Sequence, residues 1–106
     1  PAGGIQTGSF KFLKGLTNKT AKVTIPSPSM LHFRGGRGGV DQTAYPDMEA
    51  FFEDLIAEYR GEVQALEAAG CKYLQFDDTN LAYLCDPKLR ARVQSLGEDP
   101  DKLPAL

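Results

Sequence analysis

The chain has 106 residues, 42% of them hydrophobic and 25% charged, a balance that fits one globular domain with a buried core. Its formal net charge of -2 supplies no broad basic field for nucleic acid, and no apolar run approaches the roughly 20 residues that a membrane-spanning helix needs. The first residues lack the charged-then-apolar order of a signal peptide, so the expected compartment is the cytoplasm.

Taken in chain order, residues 1–9 mix glycine with small polar groups and read as an irregular arm. Phe10 to Leu16 sets apolar residues among lysines, which fits a turn or two of helix or an edge strand, with helix preferred. Lys22-Val23-Thr24-Ile25 is β-branched and reads as a buried strand that Pro26-Ser27-Pro28-Ser29 brings to an end, because two prolines stop ladder pairing. Met30, Leu31 and Phe33 follow, then the glycine-rich stretch Arg34 to Gly39, which is expected to be the most mobile loop.

The long segment Pro46 to Ala69 carries Met48, Phe51, Phe52, Leu55, Ile56, Tyr59, Val63 and Leu66 at steps of three and four. That spacing predicts one apolar stripe on a helix, with Gly70 as its C-terminal stop. Cys71 to Phe76 reads as a second strand, ending in the polar run Asp77-Asp78-Thr79-Asn80. Leu81 to Leu84 fits a short helical turn. Asp86-Pro87 then opens a helix over Lys88 to Leu96 as N-cap and first helical residue, and Asp99-Pro100 looks like one more helix start.

Strand, loop, long helix, strand, loop, helix is the order of an α/β protein with parallel strands. In such folds ligands bind at the C-terminal strand ends, here residues 26–37 and 77–83. Asp77 and Asp78 begin on opposite faces of their strand, so one of them faces a ligand or caps the next helix. Gln75, Thr79 and Asn80 add donors and acceptors to that rim. Ser27, Ser29, His32, Phe33 and Arg34 offer hydroxyls, an imidazole, an aromatic face and a guanidinium after the first strand. His32 is the sole histidine; an ordinary hydrogen-bonded role and an acid-base role both stay open. Arg34 and Arg37 among glycines suit an anion clasp or plain solvated charge. The glycines lack the Gly-Lys-Ser/Thr ending of a phosphate loop. Cys71 and Cys85 fit neither a disulfide framework nor a usual zinc pair and are expected to be reduced.

Two stretches carry a family resemblance, Lys22 to Arg37 (KVTIPSPSMLHFRGGR) and Gly70 to Pro87 (GCKYLQFDDTNLAYLCDP), joined by the helix that begins YPDMEAFFEDL. Over residues 10–104 the chain resembles the cobalamin-independent methionine synthase family, most specifically at Gln75-Phe76-Asp77-Asp78, which is similar to that family's Gln-x-Asp-Glu strand end. The resemblance implies an internal fragment of a (β/α)8 TIM barrel, about two parallel strand-helix units, with residues 10–106 forming the partial barrel domain. A complete barrel needs roughly 200 residues or more.

The resemblance further implies a zinc-dependent S-methyltransferase of methionine biosynthesis that moves a methyl group from a methylfolate, a pteroyltriglutamate, to homocysteine. Asp77 would hold the amino group of homocysteine or methionine, with Gln75, Ser27, Ser29, Asp78 and Asn80 completing the substrate side. Phe33 stands where the family has a pterin-packing tryptophan and Tyr83 where it has a pterin-contacting glutamate. His32 and Arg34 join them on the donor side, and Pro26-Ser27-Pro28 replaces the Thr-Gly-Pro-Val-like turn. The family's zinc ligands are a His-x-Cys pair, a glutamate and a further cysteine, none of which is matched here. Zinc is therefore expected only in the parent protein, no catalytic residue is assigned, and the chain alone is expected to be inactive. Two rival readings remain. One is a non-catalytic module that self-associates through exposed strand edges; the other is a related barrel enzyme with a different thiol alkyl-transfer or decarboxylation chemistry.

Overall fold

Val23 and Ile25 point inward and Lys22, Thr24 and Pro26 outward along the first strand, β1 (Lys22–Pro26), the period-two alternation of a strand with one covered face. The computed structural model describes residues 3–33 and 35–102. The other elements are helices α1 (Thr7–Leu16), α2 (Pro28–Phe33), α3 (Met48–Ala68), α4 (Asn80–Tyr83) and α5 (Pro87–Ser95), a 3-10 turn at Gly36–Gly39, and strand β2 (Tyr73–Asp77). The two strands pair side by side and parallel.

The chain divides into two compact units, one of residues 1–25 and 52–77, the other of residues 26–51 and 78–106. In the first, Phe10 of α1, Val23 and Ile25 of β1 and Leu66 of α3 form the core, with Ala21, Tyr59, Ala69, Cys71 and Leu74 packed against it. Burial pushes the Tyr59 phenol up, and its ring stacks on Phe76 with centroids 6.2 Å apart. Glu62, also buried, takes the backbone N–H of Ile5 at 2.6 Å and that of Gln6 at 2.8 Å.

In the second unit Val40 and Val93 are the buried aliphatic side chains among the described residues. Asp86 caps α5 by accepting the Lys88 N–H at 2.7 Å, a bond whose loss costs about 1 kcal/mol. Arg90 ties α5 to the preceding helix through the Leu84 carbonyl at 3.3 Å and pairs with Asp101. Asp41 accepts the N–H groups of Ala44 and Thr43, which hold its carboxyl below the ordinary aspartate range.

Helices α3 and α5 end in the same way. Gly70 (φ +92°) donates to the Glu67 carbonyl at 2.8 Å and Cys71 to that of Leu66 at 2.9 Å. Gly97 (φ +86°) donates to Gln94 at 3.0 Å and Glu98 to Val93 at 3.3 Å. Both are Schellman caps, in which a left-handed residue satisfies the last carbonyls at no cost from a Cβ atom.

The mixed α/β class holds, but the expectation of a (β/α)8 barrel fragment is corrected. The described residues form a two-stranded parallel sheet with five helices, divided between two compact units. Barrel strands are covered on both faces and read as buried runs. Here three of the five residues of β2 are exposed, Tyr73 at 54% and Phe76 at 45% among them. Three local expectations shift as well. The first helix begins at Thr7, inside the expected arm. The glycine-rich stretch is a 3-10 turn with Gly36 buried. The residues after Asp99 form a turn, with no helix among those described.

Candidate functional site

Ser27 ends the first strand's run and its carbonyl accepts the Met30 N–H at 3.0 Å, so the Pro26-Ser27-Pro28 segment turns directly into α2. That turn sets Ser27 Oγ 3.0 Å from Ser29 Oγ. From α4, Asn80 Nδ2 donates to Ser29 Oγ at 2.7 Å. Ser27 and Asn80 are buried, while Ser29 stands at the surface. Asn80 Oδ1 is buried too and has no hydrogen-bond partner among the described residues. The second unit thus gathers three of the expected substrate residues into one polar cluster.

The same unit joins the expected aromatic pair. Phe33 from the end of α2 and Tyr83 from the end of α4 lie with ring centroids 5.9 Å apart, tilted by 33°. Both line a cavity of about 390 Å³, completed by Leu89, Arg92, Val93 and Leu96, in the size range of small-molecule sites. Arg92 has no ion-pair partner among the described residues. The cavity therefore combines a tilted aromatic pair, aliphatic side chains and one cation.

His32 takes a different place from the donor side expected of it. It is buried at 5% exposure, with Nε2 3.5 Å from Glu98 Oε1 and its ring 6.4 Å from that of Phe51. Glu98 also accepts the Arg37 backbone N–H at 3.2 Å. The Arg37 guanidinium donates to the Tyr45 and Pro46 carbonyls, which gives it a structural role in place of an anion clasp. Arg34 lies outside the described residues.

In the first unit, Gln75 Nε2 donates to Asp77 Oδ1 at 2.7 Å on the exposed end of β2, so these two residues form a local pair. Asp78, which belongs to the second unit, is exposed. Two further residues take part: Arg92 of α5 lines the cavity, and Glu98, beyond that helix, meets His32 and the Arg37 N–H; nothing in the local sequence marks either one.

No group of three or more His, Cys, Asp or Glu residues converges among the described residues. The Cys71 and Cys85 thiols are free, and each lies 3.5 Å from a carbonyl of its own segment, Tyr73 and Leu81 respectively. This set does not fit the zinc that the family resemblance implies. Among the described residues no helix is long and apolar enough to cross a membrane.

Comparison with known proteins finds no matching family model and no matching solved structure. The chain is 42% identical over 100 residues to the uncharacterized protein YxjH of Bacillus subtilis (strain 168), covering 93% of this chain and 26% of that protein. It is 36% identical over 96 residues to the uncharacterized protein YxjG of the same organism, covering 89% and 25%. The chain spans about a quarter of the length of these curated relatives.

Proposed function

We propose that this chain is the part of a methionine synthase-like S-methyltransferase that receives the methyl donor, a methylfolate, while residues outside it perform the transfer to homocysteine. The observation that carries the reading is the Phe33–Tyr83 pair on the wall of a cavity of about 390 Å³. The two residues that the resemblance sets against the pterin are brought together there by α2 and α4.

The planar pyrimidinone ring of the reduced pterin packs on an aromatic face by offset stacking. Arg92 at the rim adds a guanidinium for an anionic tail. The acceptors Ser27 Oγ, Ser29 Oγ and Asn80 Oδ1 of the same unit lie outside the cavity's lining and suit a ligand N–H or ammonium group. In the reaction the thiolate sulfur of homocysteine forms a bond to the methyl carbon. The folate nitrogen keeps the electron pair of the broken N–CH3 bond and takes a proton. In the parent protein a zinc held by residues outside this chain would bind the homocysteine sulfur and lower the pKa of its thiol. The chemistry assigned to this chain is binding and orientation.

Calorimetric titration of the chain with 5-methyltetrahydrofolate tests this. Binding is expected, weakened roughly three- to tenfold by Phe33→Ala, the range of one aromatic pair. Loss of the charge in Arg92→Gln should weaken it roughly tenfold or more. Absence of binding, or binding indifferent to both changes, overturns the reading.

A second reading, self-association, is favoured by the exposed apolar side chains of the first unit, chiefly Phe12, Leu16, Ile56, Tyr73 and Phe76. A parallel pair with an open apolar strand is a template for another chain. Sedimentation velocity over a hundredfold concentration range should show a rising dimer fraction. A monomer throughout that range removes this reading.

A further inference from the structure

We propose that the first unit carries a separate site for a compact polyanion, a small molecule with two or more adjacent phosphate or carboxylate groups. Three lysines line one concavity of about 230 Å³ there: Lys14 from the last turn of α1, Lys19 from the loop before β1, and Lys72 from the loop before β2. Taken as a sphere, that volume is about 8 Å across, so charges that the three lysines bring to it lie within about a Debye length of one another. None of the three has a carboxylate at ion-pair distance among the described residues. Like charges held this close repel, and an anion between them relieves the repulsion.

Lys14 is held in place, unlike a free surface lysine. Its Nζ donates to the Ala69 carbonyl at 3.2 Å and lies 6.0 Å from the centre of the Phe10 ring. It also occupies the volume that a Cβ on residue 70 would fill. Gly70 therefore does two things: its positive φ closes α3, and its missing side chain leaves room for an ammonium group at the cavity. Asn18 and Thr20, on the same wall, supply neutral donors for oxygen atoms between the charges.

The class of ligand follows from size and charge. The chain as a whole has a formal net charge of -2, so a long anionic polymer meets repulsion beyond this patch. A diphosphate or a tricarboxylate places its charge within the cavity, where three ammonium groups meet it together. The inference does not rest on the methyltransferase reading, because it concerns different residues in the other unit.

Calorimetric titration with inorganic pyrophosphate, and separately with tricarballylate, on the unaltered chain and on the Lys19→Gln/Lys72→Gln double variant provides the test. Both substituted lysines are exposed, so the circular dichroism spectrum should not change. At least one probe is expected to bind at low salt and to lose affinity on the order of tenfold between 20 and 200 mM sodium chloride. The double variant should bind it at least about tenfold more weakly. A preference for pyrophosphate assigns the site to phosphorylated ligands, and a preference for tricarballylate to polycarboxylates. If neither probe binds, or if the double variant binds as well as the unaltered chain, the site is refuted.

Discussion

Leu66→Ala should destabilise the chain by about 3 kcal/mol, the middle of the range for emptying a buried leucine site. Leu66 is the most enclosed large side chain among the described residues, at 1% exposure, and it meets Phe10, Val23 and Ile25 from one helix and one strand. Its removal loses both the transfer energy of the missing atoms and the contacts of the cavity left behind. The core around it is small, which leaves few neighbours to absorb the loss. Urea unfolding followed by circular dichroism measures the effect through the midpoint. Leu16→Ala is the control: Leu16 lies on α1 but is exposed, so its change is expected to stay within about 0.5 kcal/mol. Equal effects from the two substitutions would mean that the core is wrongly placed.

Glu62→Ala is expected to cost about 2–3 kcal/mol, nearly as much, for a different reason. Its two carboxylate oxygens accept the backbone N–H groups of Ile5 and Gln6, which lie just before and at the start of α1 and have no carbonyl of that helix to bond. An anion at that position also meets the positive end of the helix dipole. Alanine leaves two donors without a partner in a partly buried setting, the costly side of hydrogen bonding. Glu62→Gln keeps one acceptor oxygen and the side-chain volume, so its cost should be nearer 1 kcal/mol. Hydrogen exchange at the amides of Gln6 to Phe10 gives a local readout: protection should fall in the alanine variant and be largely kept in the glutamine variant. Unchanged exchange in both would remove Glu62 from this capping role.

The start of α5 and the end of α3 were legible because they depend on residues a few positions apart, whereas α2 (Pro28–Phe33) and the start of α1 at Thr7 were not. Asp86-Pro87 announces α5 and Asp86 does cap it. Gly70 announces the end of α3 and does adopt a left-handed conformation there. Burial was less legible. The stripe from Met48 to Leu66 marks a helix face, yet Leu66 is the stripe residue classed as fully buried and Ile56 is exposed. Glu62, which charge alone would send to the surface, is buried because two distant amides need its oxygens. Periodicity identifies an apolar face without saying how much of the chain is available to cover it.

The candidate site divides along the same line. Ser27, Ser29 and Asn80 were expected on the substrate side together with Gln75, Asp77 and Asp78, and Phe33 and Tyr83 on the donor side; the second unit joins the first three in one polar cluster and sets the two rings 5.9 Å apart. His32 was expected beside the donor, but it is enclosed near Glu98 and Phe51. Nothing in the spacing of these residues encodes that enclosure, because Glu98 arrives from 66 positions away.

By itself, then, the sequence determined the local elements: a β-branched strand stopped by prolines, a long amphipathic helix closed by glycine, and a capped final helix. Their causes are backbone sterics and hydrogen bonds between near neighbours. Only the tertiary structure decided that the two strands form an open pair in place of a barrel wall, that a glutamate is buried at a helix start, and that three lysines share one cavity. Those outcomes turn on which distant surfaces cover one another, and contact between residues some 50 positions apart is set by packing and charge in three dimensions.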